Sequence, residues 1–220
     1  MRIGREMRNR RLLSLTMLAI AWACTNGANP GPDAAGAGVT AADTIPPGHL
    51  ARFTATGELI RPEGWEAWVL AGTSMGLGYT EPTTLPTPGD APGVFLNVYV
   101  QPWAYDRFME SGEFPEGTMF VLAMAEPVTR VDPARRGFTM GAISMMEVHL
   151  KQAGVHESGW GFYGFGGGAT SAMMISADAD CYSCHRDEAA HDQAFVQFYP
   201  KMRERLGLVP AEPDSSSGAS

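Results

Sequence analysis

The hydrophobic pattern changes period several times along the chain, and each period predicts a different element. From Leu12 to Ala23 (LLSLTMLAIAWA) it is nearly unbroken, behind a basic stretch holding Arg2, Arg5, Arg8, Arg10 and Arg11. Such a run is too short to cross a bilayer as folded structure. With Ala21-Trp22-Ala23 as an A-x-A site, residues 1–23 read as an export signal. Cys24 follows directly, so two readings of the mature end stand side by side: ordinary cleavage, or a lipid on Cys24. Residues 24–47 are mostly Ala, Gly, Pro, Thr, Asn and Asp, which cannot offset chain entropy by burial and predict a flexible linker. Residues 210–220 have the same character and predict a disordered tail. The folded domain is expected over residues 48–209.

Within it, Pro62 stands at a plausible helix start and Trp65, Trp68 and Val69 recur at i, i+3 and i+4, predicting a short amphipathic helix over Pro62–Ala71. Four prolines between Gly76 and Gly93 predict a long loop. Phe95–Val100 alternates and is rich in β-formers, a strand. Pro102 opens a helix over Ala104–Met109 that Gly112 closes. Met119–Ala125 is the next strand, Phe138–Lys151 holds one or two more, and Trp160–Phe165 is an aromatic strand ended by three glycines. Phe195, Phe198, Tyr199 and Met202 recur at helical spacing, placing a helix between His185 and Leu206. The class expected is α+β and β-rich: an antiparallel sheet with flanking helices and a C-terminal helix.

Composition narrows the function. At 220 residues with 45% hydrophobic and 18% charged content, the chain can bury a core. Its net charge is -8, and beyond Ala23 eleven Lys and Arg face twenty-three Asp and Glu. That surplus repels phosphate backbones and anionic bilayers, so neither nucleic acid nor a membrane surface is an expected partner, a lipid on Cys24 apart.

The chemistry lies in Cys181-Tyr182-Ser183-Cys184-His185. A C-x-x-C-H run attaches haem c: both thiols add to the porphyrin vinyl groups, and the adjacent His185 becomes an axial ligand of the iron. Zinc would want further Cys or His at ligand spacing, and with Cys24 spent at the N-terminus a disulfide framework has no partners beyond the two motif cysteines. One motif means one haem per chain, and export fits because c-type haem is attached outside the cytoplasmic membrane, in the periplasm or beyond. His149, His156, His191, Met145, Met146, Met173 and Met174 are candidates for the sixth iron position, with an open position as the alternative. On a continuous helix His191 would stand about 240° round from His185 and off the haem face.

Taken in order, several short stretches resemble the cytochrome P-460 proteins and their relatives, the cytochromes c′-beta. They are Arg61-Pro62, Trp68-Val69, Val98-Tyr99-Val100 with Pro102 and Tyr105, and Gly112-Glu113-Phe114-Pro115-Glu116-Gly117-Thr118. Gly137-Phe138, Met140-Gly141, Glu147, Lys151, Gly159-Trp160, the haem motif, Asp192, Phe195, Phe198 and Tyr199-Pro200 complete the set. The resemblance implies a small β-rich homodimer with one haem c per subunit, a proximal histidine and an open distal side. In cytochrome P-460 proper a lysine is bonded to the porphyrin edge and hydroxylamine is oxidised; the resemblance puts Leu122 at that lysine's place. The only lysines are Lys151 and Lys201, so a cross-link would have to come from another strand or the last helix. The relatives without it bind nitric oxide under an apolar cap, which Leu122 fits. Phe120 shares a strand face with Leu122 and should join it at the haem, with Phe95 and Phe138 as further cap candidates. Glu147 matches a distal acid able to accept a proton from a nitrogenous ligand. Three functions stay open: binding or redox of a small nitrogen species at an open iron, hydroxylamine oxidation, and electron transfer to a redox partner protein.

Overall fold

A computed structural model describes residues 44–77, 93–129 and 131–209, all within one compact unit. The export segment, the linker as far as residue 43, most of the proline-rich loop and the tail lie outside the described residues. The first residues of the folded domain are docked on the rest of it: Gln101, fully buried, donates its side-chain N–H to the His49 carbonyl (2.7 Å).

Strands β2 (Val69–Met75), β3 (Phe95–Val100), β4 (Met119–Val128), β5 (Thr139–Lys151) and β6 (Trp160–Gly166) form one antiparallel sheet in chain order. Helix α1 (Pro102–Ser111) links β3 to β4. Proline opens it, where the missing N–H is no loss, and Gly112 closes it at φ 86° with its N–H on the Phe108 carbonyl. Two short strands, β1 (Leu59–Ile60) and β7 (Ser171–Ala172), pair separately.

The alternation of β4 and β5 builds two cores. On one face Val121, Ala123, Met146, Val148 and Leu150 pack with Leu59, Trp65 and Phe165. On the other, Val100, Phe120 and Trp160 meet Phe108, Phe114, Phe195, Val196 and Met202 from the helical segments. Val121 and Val148 are completely buried, each side chain contributing roughly 1.5–3 kcal/mol. The site lies on this second, helix-covered face.

Two expectations are corrected. Pro62–Ala71 is not a helix: Trp65–Ala67 makes a single 3-10 turn, and from Val69 the chain is strand, paired Val69 to Val100. The i, i+3, i+4 pattern spans barely one turn, which the 3-10 segment satisfies, and pairing with β3 claims the rest. Nor is the C-terminal region one helix. Helix α2 (Asp180–Glu188) ends at Ala189, a 3-10 turn covers Val196–Phe198, and α3 runs over Pro200–Arg205. Between them Asp192 and Gln193 are both left-handed, at φ 43° and 59°.

Candidate functional site

Sheet register sets the floor of the site. Leu122 stands between Val98 and Glu147, while Phe120 stands between Val100 and His149, which faces Phe162 in turn. Leu96 and Ser74 extend this face at the far end. Above the floor sit His185 from α2 and Ala194, Phe195, Phe198 and Tyr199 from the segment after it. The cavity opens at its mouth and holds about 770 Å³ of space, open solvent included. Leu122, Phe120 and Glu147 all line it, so the predicted sharing of a face by Leu122 and Phe120 is found.

Helix α2 carries Cys181, Cys184 and His185 at i, i+3 and i+4, on one side of the helix. Tyr182 points away into the core, edge-on to Phe162 at 4.8 Å. His185 Nδ1 lies 2.6 Å from the Gln193 carbonyl oxygen. A carbonyl can only accept, so Nδ1 carries the proton and Nε2 is the nitrogen left for a metal. Burial holds His185 below the ordinary histidine range, with that hydrogen bond opposing. Both cysteines are free and half-buried, and burial raises both thiols. Cys181 also feels the charge of Glu147, which ties the thiol to the pocket wall. Cys184 packs against the apolar cluster that holds Phe195.

Glu147 is the pocket's one carboxyl. Burial raises its pKa, and no cation among the described residues pairs with it. His149 is 9% exposed, its ring stacked on Phe162 at 4.1 Å and tilted against Trp160 at 4.3 Å. Burial, and secondarily His185, keep it neutral by pushing its pKa well below the ordinary range. Its Nε2 has no hydrogen-bond partner. Its ring lies edge to face with His185 at 4.9 Å. An iron between two imidazoles needs about 2 Å to each nitrogen, and this spacing leaves no such room. His149 therefore sits beside His185, not across the pocket from it.

The other sixth-ligand candidates lie away from the cavity. His156 lies tilted against Tyr182 at 4.0 Å, and His191 packs against Phe108 and Phe114. Met145 and Met173 are exposed, Met146 belongs to the opposite core, and Met174 packs beside it. Neither Phe95 nor Phe138 lines the pocket: Phe95 alternates away from Leu96 and Val98, and Phe138 is exposed. Both lysines are committed elsewhere. Lys151 Nζ bonds Asp192 (2.6 Å) and the Phe114 carbonyl (2.8 Å), and Lys201 pairs with Glu204 at the surface. The sequence reading reached Phe198 and Tyr199 as cavity-wall aromatics, but not the Gln193 carbonyl, a backbone atom with no side-chain signature, or the close approach of Gly72 to that wall.

A porphyrin suits this chain on its own terms. A deep, largely apolar cavity has one histidine with a defined free nitrogen at its edge, and two free thiols lie on the same helix face. A family model for cytochrome P-460 matches residues 62–196, more than half of the sequence. No curated protein matches the chain. By that match the chain belongs to the cytochrome P-460 family, a family of haem-binding cytochromes.

Proposed function

We propose that the protein is an exported cytochrome with one haem c, linked through Cys181 and Cys184. His185 serves as the proximal ligand, and the far side of the iron is left to a small nitrogen species such as nitric oxide. One observation carries this reading. Apart from His185 the described pocket wall offers one histidine, the wrongly placed His149, and no methionine, lysine or cysteine. Residues 78–92, outside the described part, contain none of these residue types either. Bound in this cavity, haem supplies an iron that takes small ligands and exchanges single electrons. The chain's own part is to hold Nε2 of His185 toward it, to keep an apolar wall of Leu96, Val98, Phe120 and Leu122 around the ligand, and to offer one carboxyl. Glu147, with its pKa raised, is suited to accept a proton from a nitrogenous ligand near neutral pH.

That same carboxyl favours a second reading, oxidation of hydroxylamine with Glu147 as proton acceptor. The engagement of Lys151 and Lys201 outside the cavity counts against a lysine cross-link. Covalent haem attachment takes place outside the cytoplasmic membrane, which agrees with the signal-like first 23 residues and a periplasmic location, with or without a lipid on Cys24. A redox partner protein supplies or removes electrons, and a second copy of this chain completes a homodimer.

The test is spectroscopic. Produced in a bacterium that matures c-type cytochromes, the protein is expected to keep its pigment through acid–acetone extraction, and Cys181→Ser with Cys184→Ser to lose it. The ferrous form should be five-coordinate and high-spin, and should bind nitric oxide. A colourless polypeptide of unmodified mass overturns the haem c assignment, and a low-spin six-coordinate ferrous spectrum replaces ligand binding with electron transfer. A strongly red-shifted Soret band would restore the cross-linked, hydroxylamine-oxidising alternative.

A further inference from the structure

The proximal histidine is oriented by a backbone carbonyl, and that carbonyl belongs to a turn with little reason to hold its shape unaided. Asp192 and Gln193, neither of them glycine, are successive left-handed residues, a conformation that persists only where the surroundings impose it. One local bond closes the turn, from the Ala194 N–H to the His191 carbonyl (2.8 Å).

The restraint on Asp192 itself comes from the sheet. The Asp192 carboxylate accepts from Lys151 Nζ through one oxygen (2.6 Å) and from Trp160 Nε1 through the other (3.1 Å). Lys151 and Trp160 are register partners at the end of the β5–β6 ladder, and Lys151 also donates to the Phe114 carbonyl. The side chains of Lys151 and Asp192 are only 23% and 25% exposed. Their charge-assisted bond is thus largely shielded from solvent. The sheet end thereby holds Asp192, Asp192 holds the turn, and the turn places the Gln193 oxygen on His185 Nδ1.

We propose that Lys151 and Asp192 are positioning residues for His185, setting its donor strength toward the iron through the Gln193 carbonyl. A firm Nδ1–H to carbonyl bond makes the imidazole more electron-rich and strengthens its metal bond. Substituting Lys151 or Asp192 loosens the turn and weakens that bond while leaving His185 and every residue that lines the cavity unsubstituted. The inference rests on His185 being the proximal ligand.

The experiment compares Asp192→Asn, Lys151→Met and Lys151→Arg with the wild type and with Lys201→Met, a surface control. Two quantities are read on haem-loaded protein: the iron–histidine stretching band of the ferrous form by resonance Raman, and the reduction potential. Asp192→Asn and Lys151→Met are expected to lower the stretching frequency and raise the potential, with the double variant no further shifted than either single one. Lys151→Arg is expected to restore most of both, and Lys201→Met to change neither. Wild-type frequency and potential in folded Asp192→Asn and Lys151→Met overturn the proposal. If those two do not fold, Lys151→Arg decides: it must fold and keep most of both wild-type readings, and any other result overturns the proposal. A wild type with no iron–histidine band and a low-spin spectrum would count against the open iron site instead, and the potentials would still decide the role of Lys151 and Asp192.

Discussion

Glu147 shows how a single side chain sets a pH dependence. Its pKa is raised by burial, so between the ordinary glutamate range and the native value the folded chain holds a proton that the unfolded chain has released. Stability is then fully present below the unfolded value and falls as pH rises through the native one. Glu147→Gln removes the buried charge, so the variant should be more stable than wild type at pH 7. The two should converge near pH 4. Urea midpoints of both proteins across that range measure it, and a constant offset at every pH would refute it. Leu122 stands beside Glu147 in the same cavity wall. Leu122→His adds a further imidazole to that wall, and the expected outcome is a six-coordinate low-spin spectrum with nitric oxide binding slowed or abolished.

At the scale of elements, the approach of β2 to the 3-10 turn before α3 depends on Gly72. A Cβ there would lie 2.8 Å from Tyr199 Cδ1 and 2.9 Å from the Phe198 carbonyl oxygen. The backbone oxygen cannot rotate aside, so strand and turn must separate, and Gly72→Ala should cost about 1–3 kcal/mol. Gly166, on β6, has open space at the corresponding position, and Gly166→Ala should leave the melting temperature within a degree or two of wild type. The same elements show what could be read from sequence. Strand β3 announced itself by period-two alternation, β6 by its aromatic run ended by glycines, and α1 by Pro102 and Gly112, because those signals are local. The cysteines and His185 were legible because five adjacent residues carry their chemistry. The break between α2 and α3 was not, since it depends on two left-handed residues held by Lys151, 41 positions away from Asp192. The strand from Val69 was misread for a similar reason: its partner β3 lies beyond the proline-rich loop, and nothing within a short window reveals that pairing.

For the whole molecule, the shape of the β4–β5 hairpin bears on assembly. β4 pairs with β3 only as far as Ala125, and β5 meets β6 only from Met145 onward. Glu126–Val128 and Thr139–Ile143 therefore extend past both neighbours, with unpaired backbone on each outer edge among the described residues. Pro127 and the register shifts around it lie in this extension, which blunts the β4 edge more than the β5 edge. The extension is also greasy: Val128, Val131, Phe138 and Met140 are each 40–46% exposed. An apolar, partly unpaired hairpin on an acidic protein suits a second copy of itself, because two-fold pairing covers both edges at once. The protein should sediment as a dimer at physiological salt. Phe138→Glu with Met140→Glu should weaken that dimer by about thirtyfold or more, the effect of losing an interface contact of about 2 kcal/mol. Since neither residue lines the haem cavity, the variant's ferrous spectrum and nitric oxide binding should match the wild type. A wild type that sediments as a monomer at all concentrations would rule out this surface as the dimer interface, and a monomeric variant with altered ligand binding would mean that the second copy contributes to the site.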